Sequence, residues 1–156
     1  MKKKPKAVKA RRPVPRRRTD EAKCCVAVRF AGRAAMDLQN TYQDIVMVSV
    51  AAPRKGSVAL TGSGMARVLS AAGTPWGWVN ISIGPISGGA NNGNETAVEM
   101  PGVPGGNVVT SHPFSLTTVF PVAAGAHRFY MVGIQDPNAN QWSVNFAKLT
   151  AVYVQS

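Results

Sequence analysis

The chain has few of the residues on which most enzymes and disulfide-rich proteins depend. Its 156 residues include two cysteines, two histidines and seven acidic residues. No run of about 18 apolar residues occurs, so we expect no membrane span. Cys24 and Cys25 are neighbours, and in an extended strand they point to opposite faces, which would strain a disulfide between them. We therefore expect free thiols, which suit a reducing compartment.

Acidic residues are few throughout the chain, and the basic residues are concentrated at the N-terminus. The first 23 residues hold eleven basic and two acidic groups and carry +9, whereas the remaining 133 residues carry +2. So dense a block of like charge repels itself and buries no apolar surface, and its prolines discourage a helix. No apolar stretch of seven or more residues follows it, so a secretory signal is not expected. The charge predicts a disordered or extended basic arm over 1–23 and a domain over 24–156.

Helical periodicity is also missing, and alternation of apolar and polar residues takes its place. Residues 32–43 allow at most one helical turn and lack an apolar stripe. Eight segments are predicted to be strands, and Gly, Pro and Asn residues separate them. They are residues 24–30, 44–51, 57–69, 76–84, 114–120, 127–134, 142–146 and 148–154. This pattern predicts an all-β protein, a single antiparallel jelly-roll sandwich.

The turns and faces refine this prediction. Pro53 and Gly56 suit a type I turn, which predicts a hairpin over 44–69. The glycine-rich stretch 84–107 is expected to be a long surface loop that includes Glu95 and Glu99. Trp142, Val144 and Phe146 are expected to share one face of a strand. Residues 45–50 are apolar on both faces, which favours an oligomer that covers the outer face.

No arrangement of residues predicts catalysis. His127 alternates with Phe129 and Met131 in a strand, and His112 precedes a proline in a probable turn. The cysteines are too close together, and the histidines too far apart, to predict a zinc site. The stretch TGSGM at 61–65 lacks the first glycine of a nucleophile elbow, and close strand packing explains its glycines better. We expect no catalytic residue, no metal and no cofactor.

The tryptophans allow two interpretations. Trp76, Trp78 and Trp142 are expected to be core or subunit-interface anchors, as strand tryptophans usually are. The alternative is a platform on which a sugar ring stacks. The sequons at Asn80 and Asn94 matter only in a secreted protein.

Three stretches resemble a known family. VSVAAPRKGSVALTGSG, from Val48 to Gly64, resembles a strand–turn–strand near the start of the tumour-necrosis-factor and complement-globular-head jelly rolls. TTVFPVAAGAHRFYMVGIQ is similar to a hairpin of that family over Val119 to Ile134, and KLTAVYV is similar to its closing strand. The resemblance implies a homotrimer. The chain departs from the family in having a basic arm and no collagen-like stem, so no receptor-binding residue is carried over.

The arm is the predicted binding element, and its partner is expected to be anionic. It has no aromatic residue with which to stack on bases, so binding to nucleic acid through it would be nonspecific backbone neutralisation. The candidate binding residues are the ten cations nearest the N-terminus: Lys2, Lys3, Lys4, Lys6, Lys9, Arg11, Arg12, Arg16, Arg17 and Arg18. A solubilising tail and a nuclear-localisation signal remain alternatives.

A basic arm on a jelly roll resembles small viral coat proteins and phage decoration proteins. The leading hypothesis is a non-enzymatic virion protein, assembled in the host cytoplasm. As a trimer it would decorate or cement a viral or phage shell, and the arm would bind shell protein or nucleic acid. One alternative is a small coat protein that packages nucleic acid through the arm. Another is a soluble carbohydrate- or receptor-binding module.

Overall fold

The computed structural model describes residues 26–70, 77–100, 108–136 and 141–156. Within these ranges the chain forms β-strands and no helix, which confirms the all-β prediction. The strands are β1 (Val26–Asp37), β2 (Gln43–Ala52), β3 (Gly56–Ser70), β4 (Gly77–Gly84), β5 (Glu95–Met100), β6 (Val108–Val122), β7 (Gly125–Gln135) and β8 (Trp142–Gln155).

The strands form two four-stranded antiparallel sheets. Sheet A has the order β1-β8-β3-β6, and sheet B has the order β2-β7-β4-β5. Most connections carry the chain from one sheet to the other, and the first strand pairs with the last. Eight antiparallel strands in this order form a jelly-roll sandwich, as the sequence predicts.

The predicted hairpins are wrong, although their turns lie where the sequence places them. β2 pairs with β7, whereas β3 pairs with β6 and β8, so the bend at 53–55 links two sheets. The turn at Gly125, whose φ is 136°, likewise links β6 of sheet A to β7 of sheet B. Turn residues specify that the chain reverses, but the pairing follows from which faces are buried together.

Three further expectations are corrected by the structure. Residues 84–107 were expected to form one loop, but β5 lies within them and pairs with β4. Residues 142–146 and 148–154, expected as separate strands, belong to the single strand β8. The possible helical turn at 32–43 is also absent, because β1 continues to Asp37 and β2 begins at Gln43.

The core lies between the two sheets. Sheet A contributes Trp142, Leu149 and Tyr153 from β8, and sheet B contributes Ile81 and Met131, all fully buried. The rings of Phe120 and Phe129 meet across the sheets with centroids 5.7 Å apart. The expected close packing at the TGSGM glycines is confirmed at Gly62. A Cβ atom there would lie 2.9 Å from both the Ile83 Cγ2 and the Met131 Cε atoms.

Candidate assembly surface

The outer face of sheet A is open and carries several exposed apolar side chains among serine and threonine residues. Side chains on this face alternate with core residues along each strand, and Phe30, Thr150, Thr61 and Thr117 form one row across the four strands. We call this surface face A. On the stretch of β8 from Phe146 to Val154, its members by strand are Phe30 and Gly32 on β1, Ser57, Ala59, Thr61 and Ser63 on β3, Ser115, Thr117, Val119 and Pro121 on β6, and Phe146, Lys148, Thr150, Val152 and Val154 on β8.

Large apolar side chains are exposed on face A. The exposed fraction is 84% for Phe30, 66% for Phe146, 60% for Val119 and 41% for Val154. Lys148 is the one charged residue of this set. Isolated exposed apolar residues are ordinary, but several on one sheet face with little charge between them are typical of an interaction surface.

Phe146 reaches this surface through a β-bulge. β8 has one residue more than β3 where they pair, and the register shifts between Ser63 and Met65. Phe146 has a φ of 53°, in the left-handed region, and among the described non-glycine residues no other φ is positive. For a residue with a side chain, this conformation costs on the order of 1–3 kcal/mol.

The bulge also explains a wrong prediction. Strict alternation places Phe146 on the same face as Trp142 and Val144, which are both fully buried. The extra residue changes the phase of the strand, so that Ala147, Leu149 and the following odd-numbered residues point inward instead. Phe146 is therefore outside the core.

The outer face of sheet B differs because the chain covers part of it. Residues 85–94 fold back over this face, where Ser82 and Val132 are fully buried. Asn91 is 3% exposed, and its backbone N–H donates to the Ser82 hydroxyl at 3.2 Å. Its side chain accepts from the Ile86 N–H at 2.9 Å and donates to the Ile86 carbonyl at 3.2 Å. We call residues 85–94 the covering loop.

Acidic residues hold the covering loop and line its edge. The Asp44 carboxylate accepts hydrogen bonds from the Ser87 hydroxyl at 2.6 Å and the Gly88 N–H at 2.8 Å. Glu95 accepts from the Asn80 side-chain amide at 3.1 Å. Burial raises the pKa of Tyr42, and the negative charge of Glu95 raises it further. The part of this face beneath the covering loop is thus closed by polar contacts, whereas face A is open.

The predicted binding residues lie outside the part of the chain that the structure describes. All ten cations of the arm, together with Cys24 and Cys25, precede residue 26. Trp76 is also outside it. Trp142 is a core residue, as expected, and Trp78 is half-buried on β4.

The two histidines occupy separate strands. His112 lies within β6, which corrects the predicted turn, and its Nε2 atom has no partner among the described residues. The His127 Nε2 atom on β7 is 2.9 Å from the Ala123 carbonyl oxygen, and because a carbonyl only accepts, this nitrogen carries the proton. Glu95 and Glu99 lie on β5 instead of a loop. In the described ranges, no three His, Cys, Asp or Glu residues form a group suited to a metal ion.

Sequence reasoning missed face A as a candidate site. The alternation of 148–154 does identify Thr150, Val152 and Val154 as one face, and the structure confirms it. The sequence carries no sign that this outer face is left open while the other is covered, because the covering loop has no recognisable motif. The bulge at Phe146 is equally invisible, since glycine or asparagine normally marks a left-handed residue.

Comparisons with known proteins do not assign the chain to a family. No family model matches it, and no curated protein matches it. In the ranges described, no helix is both long and apolar enough to cross a membrane.

Two solved structures show a distant likeness. One is an exo-β-1,3-galactanase from Phanerochaete chrysosporium with galactose, at 16% identity and a TM-score of 0.25, over 85% of this chain and 28% of the galactanase chain. The other is infectious bursal disease virus, Gx strain, at 14% identity and a TM-score of 0.29, over 83% of this chain and 40% of the viral chain. The chain spans less than half the length of either.

Proposed function

We propose that this chain is a non-enzymatic structural protein of a viral or phage particle. In this proposal it assembles as a trimer through face A, decorates or cements a shell, and holds an anionic partner with residues 2–18. The stoichiometry of three comes from the resemblance of the stretch from Val48 to Gly64 to the tumour-necrosis-factor and complement jelly rolls. The particle context comes from the pairing of a jelly roll with a basic arm.

The observation that carries the proposal is the exposure of face A. A monomer would keep Phe30 and Phe146 in water. Covering each ring in an interface contributes about 1.5–3 kcal/mol. Subunits of homo-oligomers present such surfaces, with apolar residues at the centre and few charges.

The charge distribution supports separate sites for the subunit contact and for the anionic partner. Lys148 is the one charged residue of face A, and Asp37 and Arg67 lie beyond Phe146 on the same side of sheet A, whereas the first 23 residues carry +9. Subunits would meet where charge is sparse, and the anionic partner would bind where it is dense. Binding of phosphates by the arm would weaken with salt, with a slope of about −0.7 per contact on single-stranded nucleic acid.

The test is size-exclusion chromatography with light scattering at low and high salt, with absorbance recorded at 260 nm. We expect a discrete trimer at both salt concentrations. Deleting residues 1–23 should leave the trimer intact and abolish binding to a preformed shell or a polyanion. A monomer at every concentration would contradict assembly through face A.

The same measurements separate the alternatives. A coat protein that packages nucleic acid would form closed particles with strong absorbance at 260 nm, and both features would depend on the arm. A carbohydrate- or receptor-binding module would keep its affinity for the ligand after deletion of residues 1–23. Either result would contradict the proposed decoration role and favour the corresponding alternative.

A further inference from the structure

We infer that Phe146 is the anchor residue by which face A binds a second copy of this chain. This inference rests on the proposed function, because it names the side chain that dominates the proposed subunit contact. Two independent features of Phe146 carry it: its backbone conformation and the exposure of its ring.

The backbone at Phe146 is strained in the isolated subunit. Its φ of 53° lies in the region that glycine occupies freely and asparagine tolerates. Either residue would form the same bulge with less strain and without placing an aromatic ring in water. The subunit alone therefore gains nothing visible from phenylalanine here, and an assembled state that buries the ring would account for it.

The neighbouring residues hold the bulge in place. Gly64 faces the bulge from β3, and a Cβ atom there would lie 2.7 Å from the Phe114 Cζ atom and 3.3 Å from the Ala147 Cα atom. Ala147 is 1% exposed, so the residue after the bulge is anchored in the core. The packed Gly64 and Ala147 thus restrain the backbone of the bulge, and bulges commonly re-aim side chains.

The chemistry of the surroundings favours a second copy as the partner. The rows that connect Phe146 with Phe30 and Val119 contain threonine, serine, alanine, valine and a glycine, with Lys148 as the one cation. Such a surface offers little to a polyanion. Apolar surfaces with depleted charge are typical of interfaces between identical subunits, and aromatic residues at their centres dominate the binding energy.

The dimensions of face A also fit a subunit contact. Four strands about 4.8 Å apart, and eight steps of about 3.4 Å from Phe146 to Val154, give a projected area of about 500 Å². Stable interfaces bury about 800 Å² on each partner, and the smallest specific ones bury less. Two copies of face A would together bury about 1,000 Å², which is at the lower end for a specific interface.

The experiment is sedimentation equilibrium of the full chain in about 0.5 M NaCl, where screening reduces interactions of the arm to short range. We expect Phe146→Gly and Phe146→Asn each to raise the dissociation constant at least about 30-fold, as loss of a hot-spot residue does. The urea midpoint of the dissociated subunit should stay equal or rise, because both variants relieve the left-handed strain.

Two matched variants complete the design. Phe146→Tyr keeps both the ring and the strain and should associate within about threefold of the parent chain, well short of a hot-spot loss. Ile86→Ala removes an apolar side chain that is 50% exposed on the covering loop, and it should leave association unchanged.

The outcomes separate the anchor from the proposed function. If Phe146→Gly associates like the parent chain while Val119→Lys dissociates, the anchor assignment is overturned and assembly through face A stands. If the parent chain is monomeric at every concentration, both fail. A large fall in the urea midpoint of Phe146→Gly would also overturn the inference, because the ring would then be a structural requirement of the subunit.

Discussion

The two outer faces of the sandwich differ in how far the chain itself covers them. Over sheet B, the covering loop buries Ser82 and Val132 and is held by Asn91 and Asp44. Over sheet A, the structure places Phe30 in the open with 84% of its surface exposed. Part of one face is covered within the subunit, whereas the other face keeps large apolar side chains exposed. This difference is the reason for proposing that a partner covers the open face and not the covered one.

The largest effect is expected from a charge placed on the open face, because this tests directly whether face A mediates association. Val119→Lys puts an ammonium group where 60% of the valine is exposed. The single subunit tolerates the change because the side chain already meets water. In an interface the charge would be desolvated without a partner, so the dissociation constant should rise at least about 100-fold, which corresponds to roughly 3 kcal/mol. Light scattering across a dilution series measures it.

The matched control for this variant lies on the other sheet. Ala51→Lys introduces the same charge at an exposed position of the sheet B edge strand β2. It should leave the association unchanged. Equal dissociation by both variants would mean that net charge, and not face A, governs assembly.

A second prediction concerns the closed face. Asn91→Ala removes the side-chain contacts with the backbone of Ile86, and it leaves these groups unpaired beside a buried position. The free energy of unfolding should fall by about 2–3 kcal/mol, as expected for partly buried groups that lose their partners. Urea denaturation measures this loss.

Asn92→Ala is the neighbouring control, because Asn92 is exposed, and it should change stability by less than about 0.5 kcal/mol. Similar losses for the two variants would show that Asn91 does not anchor the covering loop.

The smallest expected effect is a pH dependence at the edge of the closed face. Burial and Glu95 raise the pKa of Tyr42 above its unfolded value of 10.0, so the folded state keeps the phenol proton longer. The unfolded state then loses its proton first, and stability falls as the pH rises through 10 toward the folded pKa. Tyr42→Phe should remove this part of the decline. Parallel curves for the two proteins between pH 9 and 11 would contradict the assignment.

Alternation along the chain predicts the fold class because every long strand buries one face in the same core. The odd-numbered residues of 149–153 and Val46, Val48 and Val50 behave as their period indicates. Pairing is harder to predict, since the turn at Pro53 has the same residues whether it closes a hairpin or crosses between sheets. The glycines around β5 favour a loop, so the sequence does not predict this strand. Thr96 and Val98 nevertheless alternate with the exposed Glu95, Ala97 and Glu99.

The candidate surface was less predictable than the fold for a physical reason. Whether an apolar outer face is open depends on where distant segments fold, as the covering loop shows over Val132. Phe146 adds a backbone conformation that its residue type does not favour. Both features arise from tertiary structure and leave no local signal.

The most direct test of the account is hydroxyl-radical footprinting of the full chain at concentrations above and below its assembly. Phe30 and Phe146 report on the open face, and Met47, which is 44% exposed on sheet B, serves as the internal control. We predict that oxidation of both phenylalanines falls on assembly while that of Met47 stays constant. Undiminished oxidation of Phe30 and Phe146 in the assembled protein, or protection of Met47 in their place, would contradict the account.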